Sequence, residues 1–199
     1  MEKYDNLRNS LKTGDIILFS GKGLLSTGIK IGSACHWSHV GMIVRFKKPD
    51  VVLLYQSSPL SKVHDYTHKS PKPGVQINLF SETCEHYNGD IALRRLKYDL
   101  SDEMLDSLSA FRQEMKHRSF ETNKLEIIKS VYDGPFGKNE TDLSSLFCSE
   151  LIAEAYQRMG LLNQNLASNE FTPKDFSEKG SLELLLGASL GQEIELKRT

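Results

Sequence analysis

Short apolar and β-branched runs fill the first half of this 199-residue chain and helical periodicity fills the second, a division that narrows the choice of fold sharply. Ile16 to Phe19, Val40 to Phe46, Val51 to Tyr55, Val75 to Phe80 and Asp90 to Leu96 have the length and residue types of strands, and Gly, Pro, Ser and Asp punctuate them. From Ser101 to His117 the period changes. Met104, Leu105, Leu108, Phe111 and Met115 fall on one stripe behind Ser101, Asp102 and Glu103, which reads as a capped amphipathic helix. A second helix is expected from Leu146, with Cys148, Leu151, Ile152, Ala155 and Met159 on one face. Strands followed by helices indicate an α+β fold. The simplest organisation is one domain over 1–199, with a core at about 12–160 and a C-terminal extension over 161–199.

The connections are read from turn chemistry. Lys47-Lys48-Pro49-Asp50 joins two strands as a hairpin, and the basic cluster of Arg45, Lys47 and Lys48 reads as its solvated end. Leu24 to Ile31, Ser81 to Tyr87 and Leu125 to Tyr132 are expected as short helical pieces. Ser57 to Gly74 lacks periodicity and reads as a long surface excursion that borders a cleft. Asp133 to Asp142 is a polar loop delivering the chain to Cys148, Thr172-Pro173-Lys174-Asp175 is a helix-start signal, and QEIEL, Gln192 to Leu196, is a final strand.

Composition removes several classes of function. Twenty-five basic residues balance 26 acidic ones, leaving a formal charge of −1 and no global field for nucleic acid or an anionic bilayer. Three scattered cysteines make no disulfide framework, which points to a reducing compartment. No window approaches the ~20 apolar residues of a membrane span, and MEKYDNLRNSLKTGD lacks a signal-peptide core, so a soluble cytoplasmic protein is expected.

The chemistry-bearing candidates are few. In LFCSELIAEAY, Leu146 to Tyr156, Cys148 falls in the first turn of the expected helix, behind Asp142, Ser144 and Ser145 as caps. Unpaired N–H groups and the macrodipole there lower a thiol pKa and favour the nucleophilic thiolate. His39 opens the strand in WSHVGMIV, where an imidazole can serve as base, and Gln56 closes VVLLYQ, where its amide oxygen can orient that ring. Glu150 is read as a dipole partner for the helix start. Trp37 lies beside the candidate base, as core packing or as a pocket wall. A zinc site from Cys35, His36, His39, Cys84 and His86 matches no closed spacing pattern, and SGKG at Ser20 to Gly23 lacks a phosphate-loop frame. No cofactor and no metal are expected.

In their order along the chain these residues resemble the circularly permuted branch of the NlpC/P60 papain-like superfamily. These are the YiiX/YaeF-like hydrolases, related to poxvirus G6-type proteins and, more distantly, to lecithin:retinol acyltransferases. The resemblance rests on GDIILF at Gly14 to Phe19, SHVG at Ser38 to Gly41 and CSEL at Cys148 to Leu151, and spans about Lys12 to Gly160. It implies a papain-like antiparallel sheet or small barrel with packed helices and a nucleophile at a helix N-terminus. Cys148 would then be the nucleophile, His39 the general base and acid, and Gln56 the orienting residue, where many relatives carry Glu. The Cys148 backbone N–H would supply part of an oxyanion hole. The implied activity is a cysteine hydrolase acting through a thioacyl-enzyme on the amide or ester bonds of small-molecule, peptide-like or lipid-linked substrates. A lipid acyltransferase and a non-catalytic binding module that kept the fold are the alternatives.

Overall fold

The computed structural model describes residues 2–21, 35–58, 63–67, 74–117 and 140–198. Six strands form one antiparallel sheet: β1 (Ile16–Gly21), β2 (His39–Lys47), β3 (Asp50–Ser58), β4 (Gly74–Leu79), β5 (Gly89–Leu96) and β6 (Leu190–Lys197). Their order across the sheet is β4-β3-β2-β1-β5-β6. Among the described residues four α-helices accompany it: α1 (Glu2–Arg8), α2 (Phe80–His86), α3 (Asp102–His117) and α4 (Glu140–Arg158).

Both faces of the sheet are covered, which is why its strands read as nearly continuous apolar runs rather than as strict alternation. On one face Ile16, Leu18, Val40, Met42, Leu53 and Tyr55 pack with Leu108 and Phe111 of α3 and with Leu151, Ile152, Ala155 and Tyr156 of α4. On the other, Ile17, Phe19, Ile43, Leu54, Ile91 and Leu93 pack with Tyr4 of α1 and with Phe80 and Cys84 of α2. The period-2 geometry of a strand sends neighbouring apolar residues to opposite cores.

The α+β class is as expected, and the β1, β2–β3, β4 and β5 segments match the sequence reading to within one to three residues at each end. Ser101 does cap α3, its hydroxyl accepting the Met104 N–H at 3.3 Å. Three expectations are corrected. α4 starts at Glu140, so Asp142, Ser144 and Ser145 are helical rather than a capping loop, and both Cys148 and Glu150 lie inside the helix instead of in its first turn. Arg45 is no solvated end: its guanidinium meets Asp50 and donates to the carbonyls of Asn9 at 2.8 Å and Leu11 at 2.9 Å, pinning the chain ahead of β1 to the hairpin. Thr172 to Asp175 forms an isolated turn, because the Asp175 carboxylate takes both the N–H and the hydroxyl of Thr172 and no helix follows. The expected final strand at Gln192 to Leu196 is β6, beside β5, and the segment after Gly160 places Leu161, Leu162 and Phe176 in the core. The expected helices at Leu24 to Ile31 and Leu125 to Tyr132, and parts of the Ser57 to Gly74 and Asp133 to Asp142 loops, lie outside the described residues.

Candidate functional site

The pairing of β2 sets the geometry. Against β1 its register runs from Met42↔Ile16 to His39↔Phe19, whereas against β3 it stops at Met42↔Tyr55. Between Met42 and His39 the two strands therefore part. In the β1–β2 ladder Ile43 donates to Asp15, which turns the N–H groups of Val40 and Met42 towards β3. At Val40 no β3 residue is paired to receive it. The Val40 N–H instead bonds the Cys148 sulfur, which α4 brings to this end of the sheet.

His39 lies across the same opening. Its Nε2 is 2.7 Å from Gln56 Oε1, so a side-chain hydrogen bond bridges β2 and β3 where their backbones have separated. Gln56 Nε2 donates to Asn78 Oδ1 at 2.8 Å, and Asn78 Nδ2 donates to Gln76 Oε1 at 3.1 Å and to the backbone carbonyls of Val63 and His64 at 3.3 and 3.1 Å. Gln56, Gln76 and Asn78 are all buried, and a buried amide requires such partners. On the imidazole's other side the Phe19 ring stands 5.4 Å away, and Tyr87 packs on Phe19 at 4.9 Å while lying within electrostatic reach of Cys148. The structure thus brings the Cys148 sulfur to the Val40 amide and the His39 ring to Gln56 at the same end of β2.

The electrostatics depart from the sequence expectation. Burial pushes the Cys148 thiol up to about 12, overriding the backbone N–H groups of Val40, Ser149 and Cys148 that favour the thiolate. A helix beginning at Glu140 also leaves the Cys148 N–H beyond the first turn, where the helical ladder claims it, so the orphan oxyanion donor expected there is lost. Burial draws the His39 pKa below its ordinary 6.5, with the Gln56 bond opposing. The resting pair is a neutral thiol and a neutral imidazole.

The remaining candidates fall elsewhere. Trp37 is core material, 8% exposed, with its indole N–H on Glu193. Cys35 and Cys84 belong to the cores on opposite faces of the sheet, and His36 pairs with Asp90 at 2.9 Å. Among the described residues no three His, Cys, Asp or Glu side chains converge as a metal ion would need. Asn78 and Gln76 are the participants that sequence reasoning missed. The signal available was a Q-x-N alternation in Gly74 to Leu79, which places both amides on one face of β4.

No protein-family model matches the chain. A solved structure, that of the metalloprotein yiiX from Escherichia coli O157:H7, superposes with a TM-score of 0.50 over 95% of this chain and 98% of that one, at 16% identity. This likeness shows the fold: an α+β, papain-like architecture of the YiiX kind. Uncharacterized protein R372 of Acanthamoeba polyphaga mimivirus is 28% identical over 167 residues, 75% of this chain. The chain spans 64% of the length of that viral protein. No helix among the described residues is long and apolar enough to cross a membrane.

Proposed function

We propose that this protein is a papain-like cysteine hydrolase of the permuted NlpC/P60 type, cleaving an amide or ester bond through a thioacyl-enzyme on Cys148. The observation that carries this reading is the convergence at one end of β2: the Val40 amide on the Cys148 sulfur, and the neighbouring His39 ring held by Gln56. With Nε2–H donated to Gln56 Oε1, Nδ1 keeps its lone pair and is the nitrogen left to act as base. Because thiol and imidazole both rest neutral, His39 takes the thiol proton as the sulfur attacks the carbonyl carbon, rather than being protonated beforehand. The imidazolium then gives that proton to the departing amine or alcohol. Water, deprotonated by the same nitrogen, cleaves the thioester and returns free Cys148. Gln56 holds the imidazolium without a full negative charge, so it stabilises that state less than a carboxylate does.

A non-catalytic module that kept the fold would also bury a neutral thiol, and Cys84 is likewise pushed up to about 12 by burial. Dependence on His39 separates the two readings. Iodoacetamide labelling followed by peptide mass spectrometry is expected to modify Cys148 faster than Cys35 and Cys84, and His39→Ala to slow that step by about 10²-fold. Equal labelling of the three thiols, unchanged by His39→Ala, overturns the proposal. Short acyl-nitrophenyl esters and peptide amides, offered with and without an amine acceptor, distinguish hydrolysis from acyl transfer.

A further inference from the structure

The amide chain behind Gln56 runs in one direction only, and its direction is dictated from the far end. Backbone carbonyls accept hydrogen bonds and never donate them. The carbonyls of Val63 and His64 therefore require the NH₂ end of Asn78, at 3.3 and 3.1 Å. Gln76 is fixed in the same way, since its Nε2 meets the carbonyls of Ser58 and Gly74, both at 3.4 Å, which leaves Gln76 Oε1 to accept from Asn78 at 3.1 Å. With its NH₂ so committed, Asn78 can present only Oδ1 to Gln56. Gln56 must answer with Nε2, at 2.8 Å, and this turns Gln56 Oε1 to the imidazole, at 2.7 Å. An oxygen facing His39 Nε2 needs a proton there. The neutral ring is thereby set as the Nε2–H tautomer.

We infer that Asn78 is a positioning residue, which transmits the polarity of the Val63 and His64 carbonyls through Gln56 to fix the His39 tautomer and leave Nδ1 as the basic nitrogen. Asn78 is wholly buried, and its hydrogen-bond partners among the described residues are Gln56, Gln76 and the carbonyls of Val63 and His64, so it reaches His39 through Gln56. The inference also accounts for a neutral side chain at position 56. Asn78 Oδ1 faces that position as an acceptor, and a carboxylate there would set two acceptors against each other in a buried site. Conversely, a glutamine whose amide were free to turn over would offer His39 a donor as readily as an acceptor. The neutral triad member needs Asn78 in a way that a carboxylate, with two equivalent oxygens, does not.

The consequence for reactivity rests on the hydrolase reading, but the tautomer is measurable without it. Long-range ¹H–¹⁵N correlation spectra of the His39 ring, recorded where the imidazole is neutral, are expected to show protonated Nε2 and bare Nδ1 in the unmodified protein. In Asn78→Ala the two tautomers are expected to mix, and Cys148 alkylation to slow by roughly tenfold, short of the 10² or more expected when the base is deleted. Adding Gln56→Glu to Asn78→Ala should restore the single tautomer, since either carboxylate oxygen accepts from Nε2–H. A purely structural role for Asn78 predicts no such rescue. An Nδ1–H tautomer in the unmodified protein overturns the inference with no variant required, and so does a folded Asn78→Ala protein whose ring remains purely Nε2–H. A tautomer that follows Asn78 while Cys148 stays unreactive keeps the inference and removes the hydrolase reading instead.

Discussion

His39 and Cys148 have pKa values displaced away from each other, the imidazole drawn down and the thiol pushed up to about 12, both chiefly by burial. Two measurements follow at the scale of these residues. The alkylation rate of Cys148 should rise below about pH 6.5 as His39 loses its proton, level off while the neutral imidazole assists the thiol, and climb again in the alkaline range as the thiol itself ionises. A rate that climbs only in the alkaline range, with no lower step, would mean that His39 does not assist the thiol. Stability carries the second signature. In the unfolded chain His39 titrates near 6.5, and in the folded chain lower, so as pH falls through about 6.5 the unfolded state takes up a proton that the folded state refuses. The folded protein accordingly loses stability from His39 on the acid side. Urea denaturation of the protein and of His39→Gln across pH 5 to 8 is expected to show the difference between them changing only below about pH 6.5. An unchanging difference would show the ring to be as free to protonate when folded as when unfolded.

Among the elements, strands were easier to read than the helix that matters most. IILF, VVLLY and most of IALRRL declare themselves because burial on both faces favours apolar residues at successive positions. α4 is legible only in its second half. There Leu151, Ile152, Ala155 and Met159 mark the core-facing stripe, whereas ETDLSSL ahead of Cys148 is rich in residues that suit caps as well as first turns. Reading Ser144 and Ser145 as caps moved the helix start several residues downstream and gave Cys148 a dipole it does not sit in. The thiol pKa moves up rather than down chiefly because the sulfur is buried, and a position beyond the first turn removes dipole support that would have opposed this. Gln56 was visible as a strand-end amide, but its Asn78 and Gln76 partners act through a register that only folding sets. What anchors α4 to the strand carrying the GD motif is Tyr156, whose hydroxyl donates to the Gly14 carbonyl at 2.6 Å, fully buried. Gly14 has φ of +93°, a conformation that glycine adopts without strain. Tyr156→Phe leaves that carbonyl buried without its donor and should lower the unfolding free energy by about 1–3 kcal/mol in urea titration. No loss at all would place water at the carbonyl in its stead.

Across the whole molecule, the last forty residues close the sheet through one side chain that sequence patterning leaves anonymous. Arg94 on β5 finds no carboxylate among its hydrogen-bond partners. It donates from Nε to the Gly191 carbonyl at 2.8 Å and from its terminal nitrogens to the carbonyls of Phe176, Ser177 and Leu190 at 2.8, 2.7 and 3.2 Å. A guanidinium can satisfy four carbonyls at once because its five N–H groups diverge in a plane, and lysine offers only a point charge with three. Burial lowers the Arg94 pKa while Glu193 and Glu178 support its charge from nearby, and the carbonyl cage keeps it hydrogen-bonded. This clamp holds β6 to β5 and seats Phe176 against Tyr156 of α4, their rings 6.3 Å apart. The C-terminal segment therefore stabilises the same helix that carries Cys148. Arg94→Lys should cost about 3 kcal/mol by leaving several partly buried carbonyls unpaired. Because those carbonyls all lie in 176–191, the damage should fall there first: limited proteolysis ought to cut that stretch before any other described part of the chain. If Arg94→Lys unfolds at the same urea concentration as the unmodified protein and is cleaved no faster after Phe176, the tail is held by its apolar contacts alone and the clamp has no energetic role.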